Sequence, residues 1–456
     1  MTANNPEPFP TYHFPNRPLA KPTLSRRQTL ALTGAAGCAA AALCAGLAPT
    51  HGLPFLATGA KGTGRGIVDD KAIALMKRTW LNVDPERYLD THCHVIGLGH
   101  GNSGCYVNPR NRSPVDSPIA WLRFEIYRLA AGVESIDNAD QQYVDRLLTL
   151  IRDPLMNGAK LLLLPFDYAY SPDGKALPEE SEFFTPNGYV AELCRQHPDA
   201  FVPAASVHPY RKDAIEALER AVDEGAIAVK WLPAAQQIDP SDPKCDAFYE
   251  AMVRLQIPLI SHAGEELAVE ATDHQRLGNP LHLRRPLNAG VDVIVAHCAS
   301  LGENTDLRNP DSKTKTSFSL FLEMLEDNLT PTVQTESRAK AKGRLWGDIS
   351  ATTQANRCAD TLETLLHRTD LQSRLVNGSD YPLPAIHVLI ILDQLVSLDL
   401  LDSSLLEPLR TLFEANPLAF ELALKRALRD PEDPNQPFPD QVFMPPNDLF
   451  PRRRLD

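Results

Sequence analysis

A (β/α)₈ barrel, an α/β fold with loop insertions after strands 1 and 6, is the fold class the sequence predicts. Three observations predict it. Short apolar runs alternate with helical patterns, the rhythm of a parallel sheet. The runs recur at intervals near one βα unit. Chemically reactive side chains close several of the runs, where a barrel keeps its working face.

Eight strands are expected, ending near His94, Pro165, His208, Lys230, His262, His297, Ser350 and Asp380. Leu161-Leu162-Leu163-Leu164, Ile227-Ala228-Val229-Lys230 and Val293-Ile294-Val295-Ala296-His297 are unbroken apolar runs, as strands buried on both faces should be. Between them, residues 213–223 and 246–256 carry helical apolar spacing, and Gly225 supplies a stop after the first. Strand ends at 230 and 262, 262 and 297, and 350 and 380 are 32, 35 and 30 residues apart. Strand ends at 94 and 165, 165 and 208, and 297 and 350 are farther apart, by 71, 43 and 53 residues. The first of these holds a Gly/Asn-rich loop, 97–112, and a helix-like stretch, 119–131; the last holds a polar segment, 303–317. Both are read as lid or rim insertions. The barrel domain is assigned to residues 85–429, and residues 430–456 to a Pro-rich tail extended over the surface.

The 456 residues are 43% hydrophobic, enough for a substantial core. The formal net charge of −13, with scattered Lys and Arg, excludes nucleic acid as a partner. Eight cysteines include no C-x-x-C pair, and Cys93 and Cys298 read as small core residues. Ser25-Arg26-Arg27-Gln28-Thr29-Leu30 precedes a soft, Ala/Gly-rich apolar run to Ala48. Residues 1–48 therefore read as a twin-arginine signal peptide, cleaved after Ala48, and the protein as exported to the periplasm. No other stretch is apolar enough to span a membrane. The expected partners are a small-molecule substrate and, for assembly, a second copy of the chain.

His92 and His94 are two apart on a strand, so both face one side and can chelate one divalent ion. Lys230, His262, His297 and Asp380 each close an apolar run, which places them at the same end of the barrel. Imidazole and carboxylate suit Zn²⁺, with Mn²⁺ or Fe²⁺ as alternatives, leaving a position open for water or substrate.

Asp90-Thr91-His92-Cys93-His94, Pro258-Leu259-Ile260-Ser261-His262-Ala263-Gly264, Val295-Ala296-His297 and Asn377-Gly378-Ser379-Asp380-Tyr381-Pro382 together resemble the amidohydrolase superfamily. More specifically, they resemble the amidohydrolase-related branch that includes aminocarboxymuconate-semialdehyde decarboxylase. The loop 97–112 departs from that pattern. The resemblance implies that His92, His94, His262 and Asp380 hold the metal, and that Asp380 is the general base. His297 would polarise the substrate or bind a second ion. Lys230 would be a carboxylated bridge between two metals or a point charge for a substrate carboxylate. The implied reaction is hydrolysis of a C–N or C–O bond (amide, lactone or ester) by a metal-activated water. Non-oxidative decarboxylation of an aromatic or unsaturated acid is the alternative from the same branch, and an inactive exported metal- or ligand-binding barrel is the alternative from another class. His208, His100, Asp167, Tyr168, Arg110 and Arg112 read as ordinary loop residues near the rim.

Overall fold

The computed structural model describes residues 68–309, 314–329 and 342–453, so the twin-arginine segment and its cleavage site lie outside the described residues. Eight short strands carry the fold: β1 (Asp90–His94), β2 (Leu161–Leu164), β3 (Phe201–Pro203), β4 (Val229–Trp231), β5 (Leu259–His262), β6 (Val293–Ala296), β7 (Leu345–Asp348) and β8 (Leu375–Val376). They pair in chain order as a sheet β1–β2–β3 and a sheet β4–β5–β6–β7–β8, all parallel. Single parallel bridges join the sheets at both edges, Ala205 to Val229 and Cys93 to Tyr381. Backbone bonds support both seams, Lys230 N–H to Ala205 O at 2.7 Å and His94 N–H to Tyr381 O at 3.1 Å. The expected (β/α)₈ arrangement is present.

Strand alternation explains both layers of the core. Leu161 and Leu163 of β2 pack outward against helices, as do Val293 and Val295 of β6. Leu162, Leu164, Ile260, Ile294 and Trp346 point inward and fill the barrel. The same alternation puts Cys93 outside, in the outer core, between His92 and His94. The principal helices are α1 (Asp70–Thr79), α2 (Pro118–Ala130), α3 (Ala139–Ile151), α4 (Asn187–Gln196), α5 (Ala214–Asp223), α6 (Asp246–Leu255), α7 (Ser317–Leu329), α8 (Cys358–His367), α9 (Leu406–Ala415) and α10 (Pro417–Ala427). In α5, Ala214, Ala217, Leu218, Ala221 and Val222 form the buried stripe, and Gly225 follows with φ 102°.

Six strand ends fall within two residues of expectation, and two do not. β3 stops at Pro203, so His208 lies five residues beyond it (208 − 203). Past Ala205, side chains replace ladder partners: Asn187 Oδ1 accepts from Ser206 N–H at 2.8 Å and Asp167 Oδ2 from His208 N–H at 2.9 Å. β8 stops at Val376, so Asp380 lies four residues beyond it (380 − 376), on a turn whose N–H reaches back to His92 O.

The insertion after β1 carries α2 and a two-residue strand, Tyr106–Val107, that pairs antiparallel with Phe183–Phe184 from the loop after β2. The insertion after β6 contains the antiparallel pair Glu303–Asn304 and Lys315–Thr316. A third excursion, after β5, runs through the helical turns Thr272–Gly278 and Pro280–Leu283 and was not evident from spacing. The Pro-rich tail does more than lie on the surface. Leu449 and Phe450 are buried in the same cluster as the inward side chains of the barrel. Arg453 beside them donates to Tyr88 O at 2.7 Å, just before β1, so the tail plugs the N-terminal mouth.

Candidate active site

The inward residues at the C-terminal ends of the strands converge in one pocket. It has a volume of about 290 Å³ and includes His92, His94, Lys230, His262, His297 and Asp380 in its lining. All six sequence candidates are therefore brought together, by five different strands or the turns that follow them.

The Asp380 carboxylate is the hub. Its Oδ1 is 3.2 Å from His94 Nε2 and 3.5 Å from His92 Nε2, and its Oδ2 is 3.9 Å from His297 Nε2. Donor atoms of His92, His297 and Asp380 lie within 4.8 Å of one another. His262 is set slightly apart, its ring centroid 5.4 Å from that of His297.

Partners behind the rings decide which nitrogen each imidazole presents. His92 Nδ1–H donates to Asp348 Oδ2 at 2.8 Å. His297 Nδ1 meets Ser350 Oγ at 2.7 Å and Ser350 O at 3.1 Å. His262 Nδ1 faces Glu266 Oε2 at 3.3 Å. In all three the Nδ1 side is engaged, so Nε2 is left to face the pocket. His262 Nε2 is buried with no hydrogen-bond partner. An orphaned buried acceptor of this kind is what a metal ion would satisfy, and the His/Asp donor set suits a divalent ion.

Electrostatics point the same way. Burial lowers the pKa of His94 and of His262 to about 4 and takes that of His297 well below its usual value, so the rings are neutral donors near pH 7. Burial alone would raise Asp380. The hydrogen bond with His94 and the electrostatic pull of the surrounding His92, His94 and Lys230 side chains outweigh it and hold the group at about 2. Lys230 is pushed down to about 8, mainly by burial and against the pull of Asp348, Asp380 and Glu266. Its Nζ lies 3.0 Å from His92 Nε2, so the amine sits against the nitrogen that would also serve an ion.

The backbone is shaped to deliver these groups. His297 and Asp380 both have left-handed φ, 55° and 61°. Such positions cost on the order of 1–3 kcal/mol for a non-glycine residue and concentrate at functional sites. Two anchors hold them: Asp348 Oδ1 accepts from His297 N–H at 3.1 Å, and His92 O from Asp380 N–H at 2.7 Å. Asp90 Oδ1 ties the two motifs together by accepting from His92 N–H at 3.0 Å and Ser379 N–H at 2.8 Å. Gly378 is required where the turn crosses β1, because a Cβ there would stand 2.5 Å from His92 Cβ.

Three residues of the site, Asp348, Glu266 and Arg357, are not among those the sequence singles out. Asp348 closes the run Leu345-Trp346-Gly347 and could have been singled out by the same rule that found His262. Glu266 and Arg357 sit on loops and carried no spacing signal. His208 and Asp167 belong to a buried network with Arg211 and do not line the pocket, in keeping with their reading as ordinary residues.

The family model described as Amidohydrolase matches residues 90–403, more than two thirds of the chain. No curated protein matches the chain at a significant level. Solved structures of similar fold include 5-carboxyvanillate decarboxylase LigW from Sphingomonas paucimobilis, at 12% identity over 80% of this chain and 99% of that one, with a TM-score of 0.43. 4-Oxalomesaconate hydratase LigJ from Rhodopseudomonas palustris is 15% identical over 80% of this chain and 96% of that one, TM-score 0.42. A TIM-barrel protein from Bordetella bronchiseptica is 14% identical over 74% and 99%, TM-score 0.41. On the match that runs from β1 through the whole strand series, the chain belongs to the amidohydrolase family of metal-dependent enzymes.

Proposed function

We propose that the protein hydrolyses a C–N or C–O bond (amide, lactone or ester) of a small molecule, with Asp380 as the general base. The observation that carries this reading is the position of the Asp380 carboxylate, 3.2 Å from His94 and 3.5 Å from His92, amid the imidazoles that line the pocket. His92, His94, His262 and Asp380 would hold a divalent ion, Zn²⁺ in the first instance and Mn²⁺ or Fe²⁺ as alternatives. Bound there, the ion supplies Lewis acidity toward water and the substrate carbonyl. Asp380 takes the proton from the attacking water and returns it to the leaving nitrogen or oxygen. His297, its Nδ1–H held by Ser350, presents the Nε2 lone pair to the pocket, where it would accept a hydrogen bond from substrate or attacking water, or bind a second ion. Phe166, Phe183, Leu267 and Val269 keep bulk water from the reacting groups.

The test is a panel of lactones, amides, esters and aromatic acids given to protein purified without chelators, with released acid and CO₂ followed separately. Acid release, lost in Asp380→Asn while metal content persists, supports hydrolysis. CO₂ release without hydrolysis would replace it with decarboxylation, and no turnover by the wild type on any compound would leave a binding barrel. Metal analysis of the same preparation, with Lys230→Ala beside it, counts the ions and shows whether Lys230 bridges two of them. Export by the twin-arginine route is part of the proposal. Changing Arg26 and Arg27 to Lys should retain the protein in the cytoplasm, and unchanged export would sink that part.

A further inference from the structure

The carboxylates around the pocket are already engaged. Asp348 accepts from His92 and from the N–H groups of His297 and Ser350. Asp380 stands among three imidazoles. Glu266 Oε1 accepts from Ala268 N–H at 2.7 Å and Val269 N–H at 2.9 Å, and its Oε2 faces His262. One cation on the pocket wall, Arg357, forms no ion pair within 4.0 Å among the described residues, although Asp380, Glu266 and Asp348 act on it through space. Arg357 stands at the N-cap of α8, on the turn after β7, with its own N–H bonded to Gln354 O at 2.9 Å. Its Nη1 donates to Ser300 Oγ at 3.1 Å. Its Nε is buried with no hydrogen-bond partner. Burial lowers its pKa, and a guanidinium still keeps its proton at any working pH.

A planar cation with unused donors, held in a pocket with apolar walls, has one natural complement. We propose that Arg357 anchors a carboxylate of the substrate, so that the ligand class is a monoanionic carboxylic acid with an apolar or aromatic body. The fork geometry of guanidinium matches a carboxylate. Phe166, Phe183, Leu267, Val269 and Leu389 offer the apolar body its surface. A dianion would meet Asp380 and Glu266 on the same lining, which favours one negative charge over two. The inference rests on the reading of this pocket as the substrate site. It goes beyond it by naming what the ligand must carry and which residue reads it.

The test uses benzoate and its neutral, near-isosteric amide, benzamide, as probes of binding to the whole protein, in metal-loaded and chelator-treated forms. Wild type should bind benzoate at least about tenfold more tightly in both forms, a difference of about 1.4 kcal/mol. The ratio should fall to near one in Arg357→Gln, and Arg357→Lys should recover part of it. Equal binding of the two probes by wild type overturns the proposal without any variant. So does a preference that survives in Arg357→Gln, or one that appears only in the metal-loaded form, since that places the carboxylate on the ion. Circular dichroism checks each variant. If Arg357→Gln does not fold, Ser300→Ala, which frees the guanidinium from its tether, should lower the ratio, and an unchanged ratio counts against the proposal. Binding needs no turnover, so a charge preference with no hydrolysis on any panel would refute the proposed reaction and leave this inference standing, and the converse result would do the opposite.

Discussion

Asp348→Asn replaces one oxygen by an NH₂ and leaves the shape of the side chain intact. In the native arrangement Oδ2 accepts from His92 Nδ1–H at 2.8 Å, and Oδ1 accepts from His297 N–H at 3.1 Å and Ser350 N–H at 2.9 Å, with the Ser350 hydroxyl also pointing to it. All these partners donate, so any NH₂ placed here faces a donor. If the amide oxygen stays with the two backbone N–H groups, the NH₂ meets His92 Nδ1 and forces the proton onto Nε2, the nitrogen that faces Asp380. If the amide flips, two buried N–H groups lose their acceptor beside the left-handed His297. Either way His92 or His297 is misdirected. Loss of a partner behind a metal-binding imidazole typically lowers metal affinity or activity about 10- to 100-fold, or about 1.4–2.7 kcal/mol. Metal titration of chelator-treated Asp348→Asn against wild type measures the loss directly, and circular dichroism establishes that the fold is retained. A folded Asp348→Asn that binds metal as tightly as wild type would refute the claim that Asp348 sets the imidazole tautomer.

Three further outcomes follow from other parts of the molecule. Phe450→Ala empties the plug at the N-terminal mouth, where Phe450 is 1% exposed, and should cost about 3–5 kcal/mol in urea unfolding with little change in activity per folded molecule. Lys425 and Glu421 form a fully buried pair at 2.5 Å, and Lys425 also donates to Gly378 O at 2.6 Å in the turn that carries Asp380. Burial pushes Glu421 up to about 8, so Lys425→Met chiefly removes the donor to Gly378 O, and it should destabilise by about 1–3 kcal/mol and lower activity by loosening the turn that carries Asp380. His208 has its pKa lowered to about 3, chiefly by burial, with Nε2–H donating to Gln236 O at 2.9 Å and Nδ1 accepting from Tyr210 N–H at 3.1 Å. The unfolded chain then binds the extra proton between about pH 6.5 and 3, so stability rises with pH across that window and is constant above it, by up to about 1.4 kcal/mol per unit. His94, His262 and His297 add slopes of the same sign, so His208→Asn should reduce the pH dependence of the urea midpoint between about pH 5 and 6.5 without abolishing it, and an unchanged slope would exclude His208 as a contributor.

The barrel was legible because β2 and β6 are buried on both faces and leave uninterrupted runs, Leu161–Leu164 and Val293–Ala296. His92, His94 and His262 were legible because a strand end fixes where its side chain emerges. The reading lost its hold where the chain leaves the ladder. Ser206 to His208 looks like a continued strand, yet the Ser206 and His208 N–H groups go to the side chains of Asn187 and Asp167, 19 and 41 positions away. Asp348 is 256 positions from the His92 it orients, so no local pattern joins them. Arg357 follows a turn, where a polar residue is unremarkable by spacing alone. The tail misled through its prolines, which report an extended backbone and are silent on what one phenylalanine along it buries.

That phenylalanine also sets an order of events for folding. β8 ends at Val376, and Phe450 follows 74 residues later (450 − 376). All eight strands can pair before the residue that seals their lower opening has been synthesised. Until then Leu162, Ile260, Ile294 and Trp346 share an interior open to water at one end. The nascent chain therefore passes through a stage in which the ring is drawn but wet, and the drying step belongs to a segment made well after the last strand. A chain cut at residue 445 should stall there, with strand content near native and an apolar cavity that takes up a hydrophobic dye.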